Sequence, residues 1–136
     1  MDRIETGTQL PSLTKGPVTR QMLVEWCAAE NDYFNLHYDE RVAASMNLPG
    51  TPVQGTFKYA LMSQMVERWL GSRGRLRKIS ASYRGLDLEG ETLTACGMVT
   101  DTEDSEGTTL IHIDVWVENT KGERFTSGQA TAVLPC

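Results

Sequence analysis

No stretch of this sequence approaches the roughly 20 consecutive apolar residues that a membrane-spanning helix requires. Its first residues, Met1-Asp2-Arg3-Ile4-Glu5, lack the basic-then-apolar order of a signal peptide. The expectation is a cytoplasmic protein with no membrane role. Basic charge is also short: 13 lysines and arginines against 18 aspartates and glutamates give a net charge of −5. Nucleic-acid binding, which needs a basic footprint, is disfavoured. Cysteine is scarce and odd in number. Cys27, Cys96 and Cys136 are widely spaced, with no Cys-x-x-Cys pair and no His/Cys cluster, so no metal site is expected. Cys27 falls on an apolar helix face and Cys96 in a strand pattern, and both read as core thiols. Repeats, low-complexity segments and linkers are absent. Residues 1–136 read as one domain, long enough to bury about two-thirds of the surface of its unfolded chain.

What is present falls into two halves. A helix opens at Pro17 or Thr19 and runs to about Glu30, with Met22, Leu23, Trp26 and Cys27 at helical spacing. Asp39 reads as the N-cap of a short helix, Glu40 to Met46, and Pro49, Gly50 and Pro52 keep the following residues out of helix. A long helix is expected from about Val53 to Leu70. Its apolar stripe of Phe57, Ala60, Leu61, Met65, Val66 and Trp69 is too wide for a surface helix, which implies that something wraps it. From Arg75 the pattern changes to strands: Arg75–Leu86, Thr92–Asp101, Thr108–Glu118 and Arg124–Leu134, separated by Gly- and Asn-containing turns. Ile111, Ile113, Val115 and Val117 alternate, so one face of that strand is buried. With a further strand near Leu10–Val18, the order gives an α+β hot-dog architecture, an antiparallel β-sheet wrapped around a long central α-helix. The uncovered face of the sheet suggests a dimer.

Histidine is the other scarce residue, with only His37 and His112. His112 shares a strand face with Asp114 and Trp116 and reads as structural or interfacial. His37 lies five residues after Asp32, in the turn between the first two helices. A carboxylate and an imidazole so placed can grip one water and move protons to and from it. Taken alone, Asp32 reads as a helix-terminating turn residue and His37 as a partly exposed loop histidine.

Context strengthens the pair. Asp32-x-x-x-x-His37-x-Asp39-x-x-x-Ala43 resembles the hydratase signature of the MaoC-like (R)-specific enoyl-CoA hydratases and 3-hydroxyacyl thioester dehydratases. Leu48-Pro49-Gly50 followed by Gly55 is similar to that family's second block. The stretch from Tyr83 to Leu93, with Gly90-Glu91 at its turn, resembles a third. Asn119–Gly122, Gly128–Ala130 and Val133–Pro135 resemble the closing hairpin. The blocks follow one another in order over nearly the whole chain. Three residues depart from the usual pattern: Phe34 and Asn35 replace Asn-Pro between the pair, and Gln54 replaces the His before the helix-opening glycine.

The resemblance implies a hydro-lyase that hydrates a 2-enoyl thioester to an (R)-3-hydroxyacyl thioester, or the reverse. Asp32 and His37 are the implied catalytic residues and the Gly55 N–H the implied oxyanion donor. An unpaired N–H at a helix start suits that task, and glycine admits a thioester close to the backbone. Ser63 matches a family position that contacts the site, the alternative being a helix serine bonding its own backbone. Phe34, Tyr38, Gln54 and Arg84 are further candidate substrate-binding residues, and Tyr33, Phe57 and Tyr59 are candidate tunnel or core residues. Arg73, Arg75, Arg77 and Lys78 suit the phosphates of CoA or a carrier arm, or equally a basic edge strand. No cofactor is implied beyond CoA or an acyl-carrier thioester as substrate carrier. A homodimer, or a heteromer with a second hot-dog subunit acting on a bulky acyl-CoA, fits the family. An acyl-thioester hydrolase remains the other enzyme class open to this fold.

Overall fold

The computed structural model describes residues 3–135. A short strand β1 (Leu13–Lys15) precedes helix α1 (Arg20–Glu30). A 3-10 turn over Asn35–His37 and helix α2 (Glu40–Ser45) lead to the long helix α3 (Gly55–Leu70). Strands β2 (Arg75–Ile79), β3 (Ser82–Tyr83), β4 (Leu93–Ser105), β5 (Thr108–Glu118) and β6 (Thr126–Pro135) complete the chain. They form one antiparallel sheet in the order β1-β4-β5-β6-β2, with β3 also paired to β6. Among the described residues no helix is long and apolar enough to cross a membrane.

Local chemistry accounts for the element ends. Thr19 caps α1 through its hydroxyl, and Asn31 closes it in the left-handed region at φ 55°. Asp39 caps α2 by accepting from Arg41 N–H. The β4–β5 hairpin turns on Glu106 and Gly107, both at positive φ (45° and 79°), which is type I′ geometry and lets the strands pair as far as Ser105 and Thr108. β4 thus runs four residues beyond its expected end at Asp101. The strand expected over 75–86 is two strands instead. The backbone of Ser80 crosses so close to Gly128 that a Cβ there would lie 1.8 Å from Ser80 O, and this crossing separates β2 from β3. The expected N-terminal strand shortens to β1, with Gln9 forming an isolated bridge to Met98.

α3 lies in the concavity of the sheet. Leu61, Met62, Met65, Val66 and Leu70 pack on Leu93, Ala95, Val99, Ile111, Ile113, Val115, Val117, Ala130 and Ala132. The anticipated stripe is corrected in two ways. Phe57, Ala60 and Trp69 are only half-buried, whereas Lys58 is fully buried. A lysine has no hydrophobic signal, so the periodicity passed over it. Cys27 is a core thiol, but Cys96 lies half-buried on the outer face of β4, because strand alternation turns Leu93, Ala95 and Gly97 inward. His112 also faces outward, bonded to Glu103.

Behind the site, Glu89 joins α1 to the loop before α3. It accepts from Arg20 at 2.8 Å and from Thr51 Oγ1 at 2.8 Å. Partial burial pushes its pKa up, but the bonds from Arg20 and Thr51 outweigh this and hold the carboxyl below its ordinary value of 4.5. A depressed folded pKa means stabilisation that is complete above pH 4.5 and lost as pH falls through the folded value. The melting-temperature gap between the wild type and Glu89→Gln should therefore be widest near pH 6 and close as pH falls below 4.5. A gap independent of pH would contradict this assignment.

Candidate active site

The end of α1 sets Asp32. With Asn31 in the left-handed region, Asp32 N–H turns back to donate to Cys27 C=O at 3.0 Å. The exposed Asp32 side chain then accepts from Phe34 N–H at 3.3 Å. Three residues on, His37 occupies the 3-10 turn with its ring edge-on to Phe34, centroids 6.1 Å apart. Phe34 thus touches both members of the pair. Tyr38 closes the loop from its other side by donating its hydroxyl to Tyr33 C=O at 3.0 Å.

His37 Nδ1 lies 2.8 Å from Pro52 C=O. A carbonyl can only accept, so Nδ1 carries the proton, and in the neutral ring Nε2 keeps a free lone pair. Pro52 stands three residues before Gly55, so this bond fastens the imidazole to the segment that enters α3. Gln54, the N-cap of α3, makes no side-chain cap. Its amide points into α1, donating to Leu23 C=O at 2.9 Å and Cys27 Sγ at 3.2 Å. The first N–H groups of α3, beginning at Gly55, are therefore uncapped and carry the positive end of the helix dipole. An imidazole acceptor fixed beside a bare helix N-terminus can take a proton from water while the terminus receives a developing anion.

The family profile described as MaoC like domain matches residues 5–122. This chain belongs to the MaoC-like dehydratase family. Among solved structures, this MaoC-like chain resembles the (R)-hydratase from A. caviae involved in PHA biosynthesis, with TM-score 0.88 and 21% identity over 99% of this chain and 100% of that one. It also resembles a chain of the ChsH1-ChsH2 complex from Mycobacterium tuberculosis, with TM-score 0.83 and 21% identity over 97% and 99%. For R-hydratase PhaJ1 from Pseudomonas aeruginosa the values are 0.85 and 18% over 97% and 83%. At these identities the likeness is one of fold, the hot-dog fold. Comparison with curated proteins finds no match.

The remaining candidates of this MaoC-like domain lie on α3, at its N-cap and along the sheet. Ser63 follows Gly55 by eight residues, about 12 Å along the helix axis. It lines an open groove of about 750 Å³ between α1 and α3 with Met22, Trp26, Phe57 and Ala60. Gln54 is buried, and its Oε1 has no partner among the described residues. Its side chain joins two helices rather than facing an opening. Arg84 is exposed beside Tyr83, its N–H bonded to Phe125 C=O. In the basic cluster, Arg73 is engaged with the end of α3, bonding Leu70 C=O at 3.2 Å and Trp69 C=O and stacking on the Trp69 ring. Arg75, Arg77 and Lys78 are exposed on the edge strand β2.

Sequence reasoning missed a buried polar group under the first turns of α3. Lys58 Nζ donates to Asp87 Oδ2 at 3.1 Å, and Asn119 Nδ2 donates to Asp87 Oδ1 at 3.0 Å. The available signal was positional: Lys58 precedes Met62, Met65 and Val66 at i+4, i+7 and i+8, in line with the buried face.

Proposed function

We propose that this protein catalyses the reversible addition of water across the double bond of a 2-enoyl thioester, giving an (R)-3-hydroxyacyl thioester. The observation that carries this reading is the His37 Nδ1–Pro52 C=O bond, which directs a lone-pair nitrogen from the same segment that opens the uncapped helix at Gly55. Asp32 and His37 hold one water and remove its proton as the oxygen attacks C3. Electron density passes to the thioester oxygen, where the Gly55 N–H stabilises it, and the pair returns a proton to C2. The proton that the pair takes from water balances the one that it returns to C2. Phe34 and Tyr38 shape the wall around the pair, and Arg84 meets the phosphates of the CoA or carrier arm. No cofactor takes part.

The test is loss of the conjugated-thioester absorbance when the protein meets short, long and ring-bearing enoyl-CoA substrates, with a thiol trap in parallel. Hydration releases no thiol, so thiol release would indicate an acyl-thioester hydrolase. The open groove beside α3 favours a second arrangement, in which a homologous or different hot-dog subunit covers it. Light scattering on the purified protein, with activity measured on the same sample, separates the two. An active homodimer excludes an obligate second subunit.

A further inference from the structure

Tyr83 and Lys58 have no part in the hydration scheme, yet Tyr83 packs on Gly55 and Lys58 faces the Tyr83 ring. A Cβ built on Gly55 would lie 3.0 Å from Tyr83 Cε1 and 3.1 Å from Cζ. The ring edge that runs from Cδ1 through Cε1 to the hydroxyl-bearing Cζ is thus laid against the helix-opening glycine. Tyr83 is 48% exposed, and among the described residues its hydroxyl has no hydrogen-bond partner. The ring is held from behind. Lys58 Nζ lies 5.8 Å from its centroid, within cation–π range. Asp87, which pairs with Lys58, is anchored through its C=O to Val53 N–H at 2.8 Å and through its carboxylate to Asn119. Burying an ammonium on an apolar helix face carries a large desolvation cost that a methionine there would avoid. A chain that retains the lysine gains a rigid link between the first turn of α3 and the segment that follows Tyr83.

Building on the hydration reading, we propose that the Tyr83 hydroxyl is a second donor to the thioester oxygen, beside the Gly55 N–H, and that Lys58 is the positioning residue that holds the ring there. As water adds at C3, the C2–C3 π electrons move toward the carbonyl and place negative charge on the thioester oxygen. Tyr83 keeps its proton and donates a hydrogen bond, and the C2 proton comes from the Asp32/His37 pair, so nothing is transferred to or from the phenol. Burial, followed by the influence of Tyr59 and Glu30, pushes the phenol above its ordinary value of 10, which keeps it a donor through the neutral range.

Tyr83→Phe removes one exposed oxygen and leaves the ring. It should lower kcat for enoyl-CoA hydration about 100-fold, the scale for one oxyanion donor, with KM nearly unchanged. A second readout is the enolate absorbance of bound acetoacetyl-CoA. The wild type should lower the apparent pH of enolisation, and Tyr83→Phe should move it back up. Wild-type kcat and an unmoved enolate titration in Tyr83→Phe would overturn the donor role. For Lys58, the double variant Lys58→Met/Asp87→Leu removes the ion pair without stranding a charge. Added to Tyr83→Phe it should lower kcat no further, and a multiplicative loss would overturn the positioning role. A wild type inactive on every enoyl-CoA that still shifts the enolate through Tyr83 would remove hydration and keep the donor.

Discussion

Replacing His37 by alanine should lower kcat for enoyl-thioester hydration about 10³-fold, within the range for loss of a positioned acid–base group. KM and melting temperature should change little. The ring is only half-buried and, among the described residues, makes one hydrogen bond, to Pro52 C=O, whose loss is worth about 1 kcal/mol. His37→Asn separates chemistry from anchoring, because an amide N–H can still reach toward Pro52 but offers no basic nitrogen. It should be as inactive as His37→Ala. Asp32→Asn keeps an acceptor for Phe34 N–H and loses the basic carboxylate, so a comparable fall is expected. The double variant should be little worse than either single one, since both residues act on the same water. Retention of more than about one-tenth of kcat in both single variants would leave the acid–base assignment without support, on the same scale of effects.

The second large effect concerns stability. Lys58→Met alone should cost about 3–5 kcal/mol in urea unfolding, because it strands the Asp87 carboxylate in the interior. Lys58 and Asp87 are 1% and 0% exposed, so water cannot take over the missing bond. Lys58→Met/Asp87→Leu should recover most of that loss, since apolar replacements of both partners remove the stranded charge. Equal instability of the single and double variants would show that the pair contributes through something other than charge compensation.

Much of this architecture was legible because it rests on local rules. The alternation of Ile111, Ile113, Val115 and Val117 identified the inner face of β5, and the ends of that strand match the expectation at Thr108 and Glu118. The starts of α1 and α2 were marked by Thr19 and Asp39, whose capping chemistry acts within a few residues. What stayed hidden depends on contacts between distant segments. The division of 75–86 into β2 and β3 requires Gly128 against Ser80, 48 residues apart. The buried Lys58–Asp87–Asn119 group draws on three separate segments, of which only the helical position of Lys58 carries a signal. For the site, the resemblance singled out Asp32, His37 and Gly55, and the fold holds His37 against the segment that leads to Gly55. The direction of the Gln54 side chain was not legible, because its bonds to Leu23 and Cys27 depend on where α1 packs.

The Gln54 amide has a mechanical consequence. Its two bonds reach Leu23 and Cys27, and Cys27 C=O in turn receives the N–H of Asp32. One continuous chain of hydrogen bonds therefore runs from the first residue before α3, across the end of α1, to the backbone of Asp32. The Pro52–His37 bond completes the return path. The loop that carries Asp32 and His37 is thereby tied at one end to α1 and at the other to the segment that opens α3.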